Sequence, residues 1–202
     1  MAAIDHVIFL VDDLDAAAHA LFAEHGLASL PGGRHPGHGT GNRIVPLGTD
    51  YLELMAVIDP AEAATSQMGM WATSNARDTL SPAAVCVRVD DIAPISTALG
   101  EEPLSMSRRT PDGGELSWHL AGLTGMIERG HPFFIQWHGQ SHPGGAPADH
   151  TVQAGRISAV TIGRVPDTLH ALVAAVDGIT IGDGAGVSHV TISTGEGSIE
   201  FG

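Results

Sequence analysis

Val7–Ala17 reads VIFLVDDLDAA and Val85–Ile95 reads VCVRVDDIAPI, and the two strings align residue for residue. Each runs from a mainly apolar segment into paired aspartates and then into helix-forming residues. The apolar segment reads as a strand. The aspartates suit a helix start, where carboxylates accept free backbone N–H groups and meet the positive end of the helix dipole. Gly26 and Gly100 stand where each helix must stop, as residues that tolerate a left-handed backbone. A strand-to-helix signature that occurs twice marks a structural repeat.

Outward from these strings, the first copy continues as a helix over Ala16–His25 and a short strand near Leu27–Leu30. A glycine-rich loop follows, then a strand Arg43–Leu47, a tight turn Gly48–Asp50 and a strand Tyr51–Ile58. The second copy has a strand Ala84–Val89, a helix to Leu99, and strands over Leu104–Arg109, Glu115–Leu120 and Phe133–His138, with a turn at Pro111–Gly114. A third copy begins at Ile157, with a helix Asp167–Val176 and strands Ile179–Ile181, Val187–Ser193 and Ser198–Phe201. DYLEL at the end of the first copy is echoed by GSIEF at the end of the third.

The predicted fold class is α+β, made of repeated βαβββ modules. Modules 1–59 and 82–138, joined by a linker 60–81, form a domain 1–138, and 156–202 forms a third module. One such module leaves a sheet face bare; two side by side give a curved sheet whose concave face is a natural pocket. The third module is expected across the back of the pair or against a second copy of the chain, giving a homodimer.

The net charge is −14, with 23 acidic and 9 basic residues, and every basic residue is arginine. Such a chain lacks the cationic clusters that neutralise phosphates, which argues against a nucleic-acid partner. No apolar run is long enough for a membrane span. The chain enters the apolar stretch Ile4–Val11 without a basic leader region, so a cytoplasmic location is expected. A single cysteine, Cys86, excludes an internal disulfide and a multi-cysteine zinc site; within the apolar run Ala83–Val89 it reads as a small buried hydrophobe. There is no G-x-S-x-G nucleophile elbow and no phosphate loop.

Five segments together resemble the glyoxalase-like branch of the vicinal-oxygen-chelate superfamily: Asp5-His6-Val7, GGRHPGHGTGN from Gly32 to Asn42, YLEL from Tyr51 to Leu54, SRRTPDGGELSW from Ser107 to Trp118, and PFFIQW from Pro132 to Trp137. In metal-dependent members each module gives a His from its first strand and a Glu from its last to a divalent cation. Iron, manganese, nickel or zinc would suit such ligands. An open-sided cation of this kind chelates neighbouring substrate oxygens and stabilises an anionic intermediate.

The resemblance places His6 and Glu53 in the first-module ligand positions, with strand alternation putting them on one face with Ile4, Ile8, Tyr51 and Met55. The second-module counterparts are Ala84, which binds nothing, and Gln136, a neutral donor. His119 is the residue that would complete a three-ligand set with His6 and Glu53. Two functions follow from the resemblance: a metal-dependent lyase, isomerase or dioxygenase in which Glu53 acts at the reacting centre, or a metal-free protein that sequesters a small molecule, as bleomycin-resistance proteins do. A plain His6–Glu53 pocket pair fits the second. The expected pocket residues are His35, Asn42, Arg108, Trp118 and Gln136. The glycines of Gly32–Asn42 equally fit a wide turn or bulge, and an outward Arg108 would be an ordinary surface charge.

Overall fold

A computed structural model of the chain describes residues 1–109, 114–123, 125–139 and 141–202, with the side chains of Arg108 and Arg109 outside the described residues. The predicted turn over Pro111–Gly114 lies largely outside them as well. The first module runs β1 (Ala2–Leu10), α1 (Leu14–His25), β2 (Leu30–His35), β3 (Thr40–Pro46) and β4 (Tyr51–Val57). Two short helices, α2 (Pro60–Ala63) and α3 (Gln67–Asn75), lead to the second module: β5 (Pro82–Val89), α4 (Ala93–Leu99), β6 (Leu104–Arg109), β7 (Glu115–Ala121) and β8 (Phe133–His138). The third comprises β9 (Ala154–Ile162), α5 (Asp167–Ala174), β10 (Ile179–Ile181), β11 (Val187–Thr194) and β12 (Gly197–Phe201). Among the described residues no helix is long and apolar enough to cross a membrane.

The local signals act as their chemistry requires. The Asp13 carboxylate accepts from the backbone N–H groups of Asp15 and Ala16 at 2.8 and 2.9 Å, capping α1. Gly26 ends it in left-handed backbone, and Gly100 ends α4 the same way. The glycine-rich stretch is a hairpin: β2 and β3 pair antiparallel from Leu30↔Ile44 to His35↔Thr40, with a register shift between Pro31 and Arg34. The short strand expected near Leu27 therefore starts later and uses the glycines.

The first two modules form one eight-stranded sheet in the order β2-β3-β4-β1-β5-β8-β7-β6. Within each module the first and last strands are parallel; the modules meet where β1 runs antiparallel to β5. The convex face buries Val7, Phe9, Leu52, Leu54, Val85, Val87 and Phe134 against the helices and the third module. The concave face buries Ile8, Met55, Cys86, Leu120, Phe133 and Ile135. Burial on both sides explains why the central strands read as nearly continuous apolar runs.

The junction is irregular in a way alternation does not foresee. Ile4 pairs with Val87 but His6 with Cys86, so β1 carries one extra residue, Asp5. Across the same junction Ile8 pairs with Ala84 and Phe9 with Pro82, so β5 carries an extra residue, Ala83. A bulge resets which face each side chain takes. Ile4 accordingly belongs to the convex core with Val7, correcting its expected place beside His6.

The third module keeps the βαβββ element order but not the pairing. Its sheet runs β10-β9-β11-β12, with β11 beside β9, whereas β4 lies beside β1 in the first module. The second side of β1 is taken by β5; β9 has no module next to it, so β11 occupies that side. The small sheet packs across the back of the large one, where Phe201 meets Phe9 edge to face at 5.1 Å and Ile157, Val160 and Val190 join the convex core.

The turn before β4 is tied to this back sheet by Asp50, whose Oδ1 accepts from the Ile157 backbone N–H at 2.9 Å. Asp50 is only 4 % exposed. Burial pushes its carboxyl up to about 6, against the opposing effect of the Ile157 and Thr49 hydrogen bonds. Folding raises this pKa from 3.8, so the folded chain holds the proton more tightly. The associated stability is complete below about pH 4 and is lost as pH rises through about 6. Asp50→Asn, which keeps an oxygen for Ile157, should match the wild type near pH 4 and exceed it by about 1–3 kcal/mol at pH 7 in urea unfolding. A difference that does not change with pH would reject this origin.

Candidate functional site

The concave face closes around an open-mouthed cavity whose empty space, counted out to the solvent at its mouth, is about 620 Å³. Its two halves differ in chemistry. The first module brings His6 from β1, His35 from β2, Asn42 from β3, and Tyr51 and Glu53 from β4. The second brings Met106, Trp118, Leu120, Phe133, Ile135 and Trp137, with Met68 of α3 over the wall.

The polar end is two hydrogen-bonded groups, one around Asp5 and one around Asn42, that meet where His6 approaches Glu53. Asp5, fully buried, faces inward because of the bulge and meets His6 Nδ1 at 2.7 Å through Oδ1. Its Oδ2 accepts from Trp137 Nε1 at 2.9 Å and from His142 Nε2 at 3.0 Å, with the Arg88 guanidinium 3.7 Å away. Burial alone would raise this carboxyl; the hydrogen bonds and charges of His142 and His6 outweigh it and hold Asp5 far below the usual carboxylate range. Ionised Asp5 is an acceptor only, so the His6 proton facing it sits on Nδ1. His6 Nε2 is then turned to Glu53 Oε2, 3.5 Å away.

Glu53 Oε1 accepts from Asn42 Nδ2 at 2.7 Å, while Asn42 Oδ1 accepts from the Gly33 N–H at 2.7 Å. These two bonds assign the amide orientation. The second Asn42 N–H points at His35 Nε2, 3.3 Å away, which leaves the His35 proton on Nδ1, donated to Thr40 Oγ1 at 2.9 Å. The glycines serve this chain: a Cβ on Gly32 would lie 2.0 Å from Asn42 Oδ1. His6 also stacks on Tyr51 with ring centroids 4.6 Å apart.

The expected residues divide clearly. His6, His35, Asn42, Glu53 and Trp118 are brought together around the cavity. His119 and Gln136 are not. They pair with each other on the convex side of β7 and β8, since Trp118, Leu120, Ile135 and Trp137 occupy the concave side. His119 packs edge-on against His138 at 4.4 Å. Gln136 caps α4, accepting from the Ile92 N–H at 3.0 Å and donating to the Asp90 carbonyl at 2.9 Å. The Arg108 side chain lies outside the described residues.

Strand register also revises the counterpart of Glu53. Ile8 lies opposite Glu53 and Cys86 opposite Phe133; Ile8 and Cys86 are equivalent in the repeat, so Phe133 takes the place of Glu53. The four-ligand arrangement implied by the resemblance is therefore not matched: the repeat counterparts of His6 and Glu53 are Ala84 and Phe133. From the sequence, neither Asp5, which enters only as part of Asp5-His6-Val7, nor His142 has a place in the site. The DH dipeptide signals a strand, and only the bulge turns both residues to one face; His142 reaches Asp5 from a Gly- and Pro-rich segment with no periodicity.

A family model described as a glyoxalase-like domain matches residues 4–176. The chain belongs to the glyoxalase-like domain family, within the vicinal-oxygen-chelate superfamily. Among solved structures, a hypothetical protein from Staphylococcus aureus shares 18 % identity over 100 % of this chain and 99 % of its own, with a TM-score of 0.65. A methylmalonyl-CoA epimerase from Streptomyces coelicolor shares 17 % over 66 % and 93 % (TM-score 0.46), and one from Mycobacterium tuberculosis 16 % over 69 % and 89 % (TM-score 0.45). No curated protein matches.

Asn42 holds two partners that have no substitute in the chain just described. Asn42→Ala should destabilise the protein by about 2 kcal/mol in urea unfolding, because the Gly33 N–H and Glu53 Oε1 both lose their bond. Asn42→Asp keeps the acceptor for Gly33 but sets a carboxylate against Glu53, so at neutral pH it should cost at least as much. A neutral effect of both would show that the network is not coupled to folding.

Proposed function

We propose that the chain binds a compact, largely apolar small molecule in the concave pocket, without the four-ligand cation of its metal-dependent relatives. The observation that carries this reading is the second-module wall: Phe133, Ile135 and Trp137 stand on the strand from which a ligating carboxylate would come. The Trp118 and Trp137 rings at the wall, centroids 5.2 Å apart and inclined 48° to each other, favour a ligand with an aromatic or apolar body. Glu53 and His6 at the opposite end favour a ligand carrying one hydroxyl or amine donor.

A metal-dependent lyase, isomerase or dioxygenase is the second reading, supported by the His6–Glu53 contact at 3.5 Å. Against it, two protein ligands are fewer than the three that catalytic cations usually keep. If a cation were bound there, His6 and Glu53 would hold it and it would polarise a substrate oxygen.

Calorimetric titration of planar aromatic alcohols and amines, beginning with 2-naphthol, into chelator-treated protein should show saturable one-to-one binding. Trp118→Ala and Glu53→Gln should each weaken it by about tenfold, the loss of one stacking or hydrogen-bonding contact. Binding that appears only on adding a divalent cation, and is abolished by His6→Ala, would transfer the assignment to the metal-dependent reading.

A further inference from the structure

We propose that Asp5, His6 and Cys86 form a site for a soft divalent cation such as zinc, set behind the polar end of the pocket. The inference does not rest on the pocket's ligand. It differs from the superfamily's cation site in its donors, since Asp5 and Cys86 have no part there, and in using the Nδ1 edge of His6 rather than the Nε2 edge that faces Glu53.

Three features of the fold converge on it. His6 and Cys86 are register partners across the β1–β5 junction. The bulge adds Asp5 to the same face. One ligand atom from each of the three buried residues lies within 4.8 Å of the others, and the Asp5 Oδ1 to His6 Nδ1 distance is 2.7 Å. Donors around tetrahedral zinc, with bonds of about 2.0–2.3 Å, stand roughly 3.3–3.8 Å apart, so the cluster needs adjustments of about 1 Å and no change of fold. An imidazole, a carboxylate and a thiolate select zinc over magnesium or calcium, which take oxygen ligands.

The surroundings supply what zinc ligands ordinarily have around them. Trp137 Nε1 and His142 Nε2 hold Asp5 by Oδ2, leaving Oδ1 directed at His6. Glu53 Oε2 stands 3.5 Å from His6 Nε2, placed to accept its proton once Nδ1 is ligating. The charge balance agrees: Asp5 and Glu53 are two buried carboxyl groups, and the Arg88 guanidinium reaches only to 3.7 Å of Asp5. On binding, the cation replaces the proton between Asp5 and His6, which moves to Nε2, and the Cys86 thiol releases its proton to solvent; nothing is oxidised or reduced. The fourth position is left to water.

Titration of the chelator-stripped full chain with cobalt(II) tests the site. The expected result is one equivalent bound, with a near-ultraviolet sulfur-to-cobalt charge-transfer band and a raised thermal midpoint. Cys86→Ser and Asp5→Asn should each weaken binding more than about tenfold, Cys86→Ser removing the band, while Glu53→Gln keeps it. Should the Cys86 variant not fold, zinc-edge X-ray absorption of the wild type reads the same point through a sulfur neighbour. Failure to bind cobalt, cobalt bound without the charge-transfer band, or a zinc shell of nitrogen and oxygen alone overturns the proposal.

Discussion

The antiparallel junction of β1 and β5, with its one extra residue at Asp5, is the constraint on which the rest depends. It joins the two modules into a single curved sheet and so creates the cavity. It also buries a carboxylate behind the cavity wall with no exposure to water. A charge buried in this way is tolerable only if several donors satisfy it. Here they come from three places in the chain: His6 beside it, Trp137 on β8, and His142 in the segment after β8. The buried carboxylate thereby ties together parts of the molecule more than 130 residues apart in sequence, Asp5 and Trp137 being separated by 132.

The two modules share a backbone plan and have diverged in the side chains they send inward. The first keeps a chain of polar groups from Asp5 through His6, Glu53 and Asn42 to His35, every link supported by the next. The second presents tryptophan, phenylalanine and aliphatic side chains. This asymmetry makes the cavity amphipathic. The polar groups also fix tautomers: ionised Asp5 sets a proton on His6 Nδ1, and the Gly33 bond orients the Asn42 amide so that His35 carries its proton on Nδ1.

The third module shows how neighbours, and not element order, select strand pairing. Its strands and helix follow the same order as the first module, yet β11 lies against β9 because no second module claims that side. The result is a small sheet that shields the convex face. His150 secures the approach to it, its Nδ1 accepting from the Ala28 N–H and its Nε2 donating to the Pro46 carbonyl, each at 2.9 Å. The segment before β9 is thus a strap across the first module, and its histidines have structural partners.

The sequence by itself determined the repeat and most strand–helix boundaries, and alternation allowed His6 and Glu53, picked out by the family resemblance, to share a face. Those follow from short-range rules: apolar runs, aspartate caps, glycine stops and alternation along a strand. The aromatic character of the second-module wall was legible in PFFIQW, but its facing was not, and Gln136 and His119 fell on the wrong side for that reason. A one-residue offset in register reverses every side chain of a strand, and nothing local announces it. The bulge at Asp5, the reach of His142 and the altered pairing of the third module were decided only in the tertiary structure. Each depends on which strand lies alongside, a contact between residues far apart in the chain that is settled by the packing of the whole sheet.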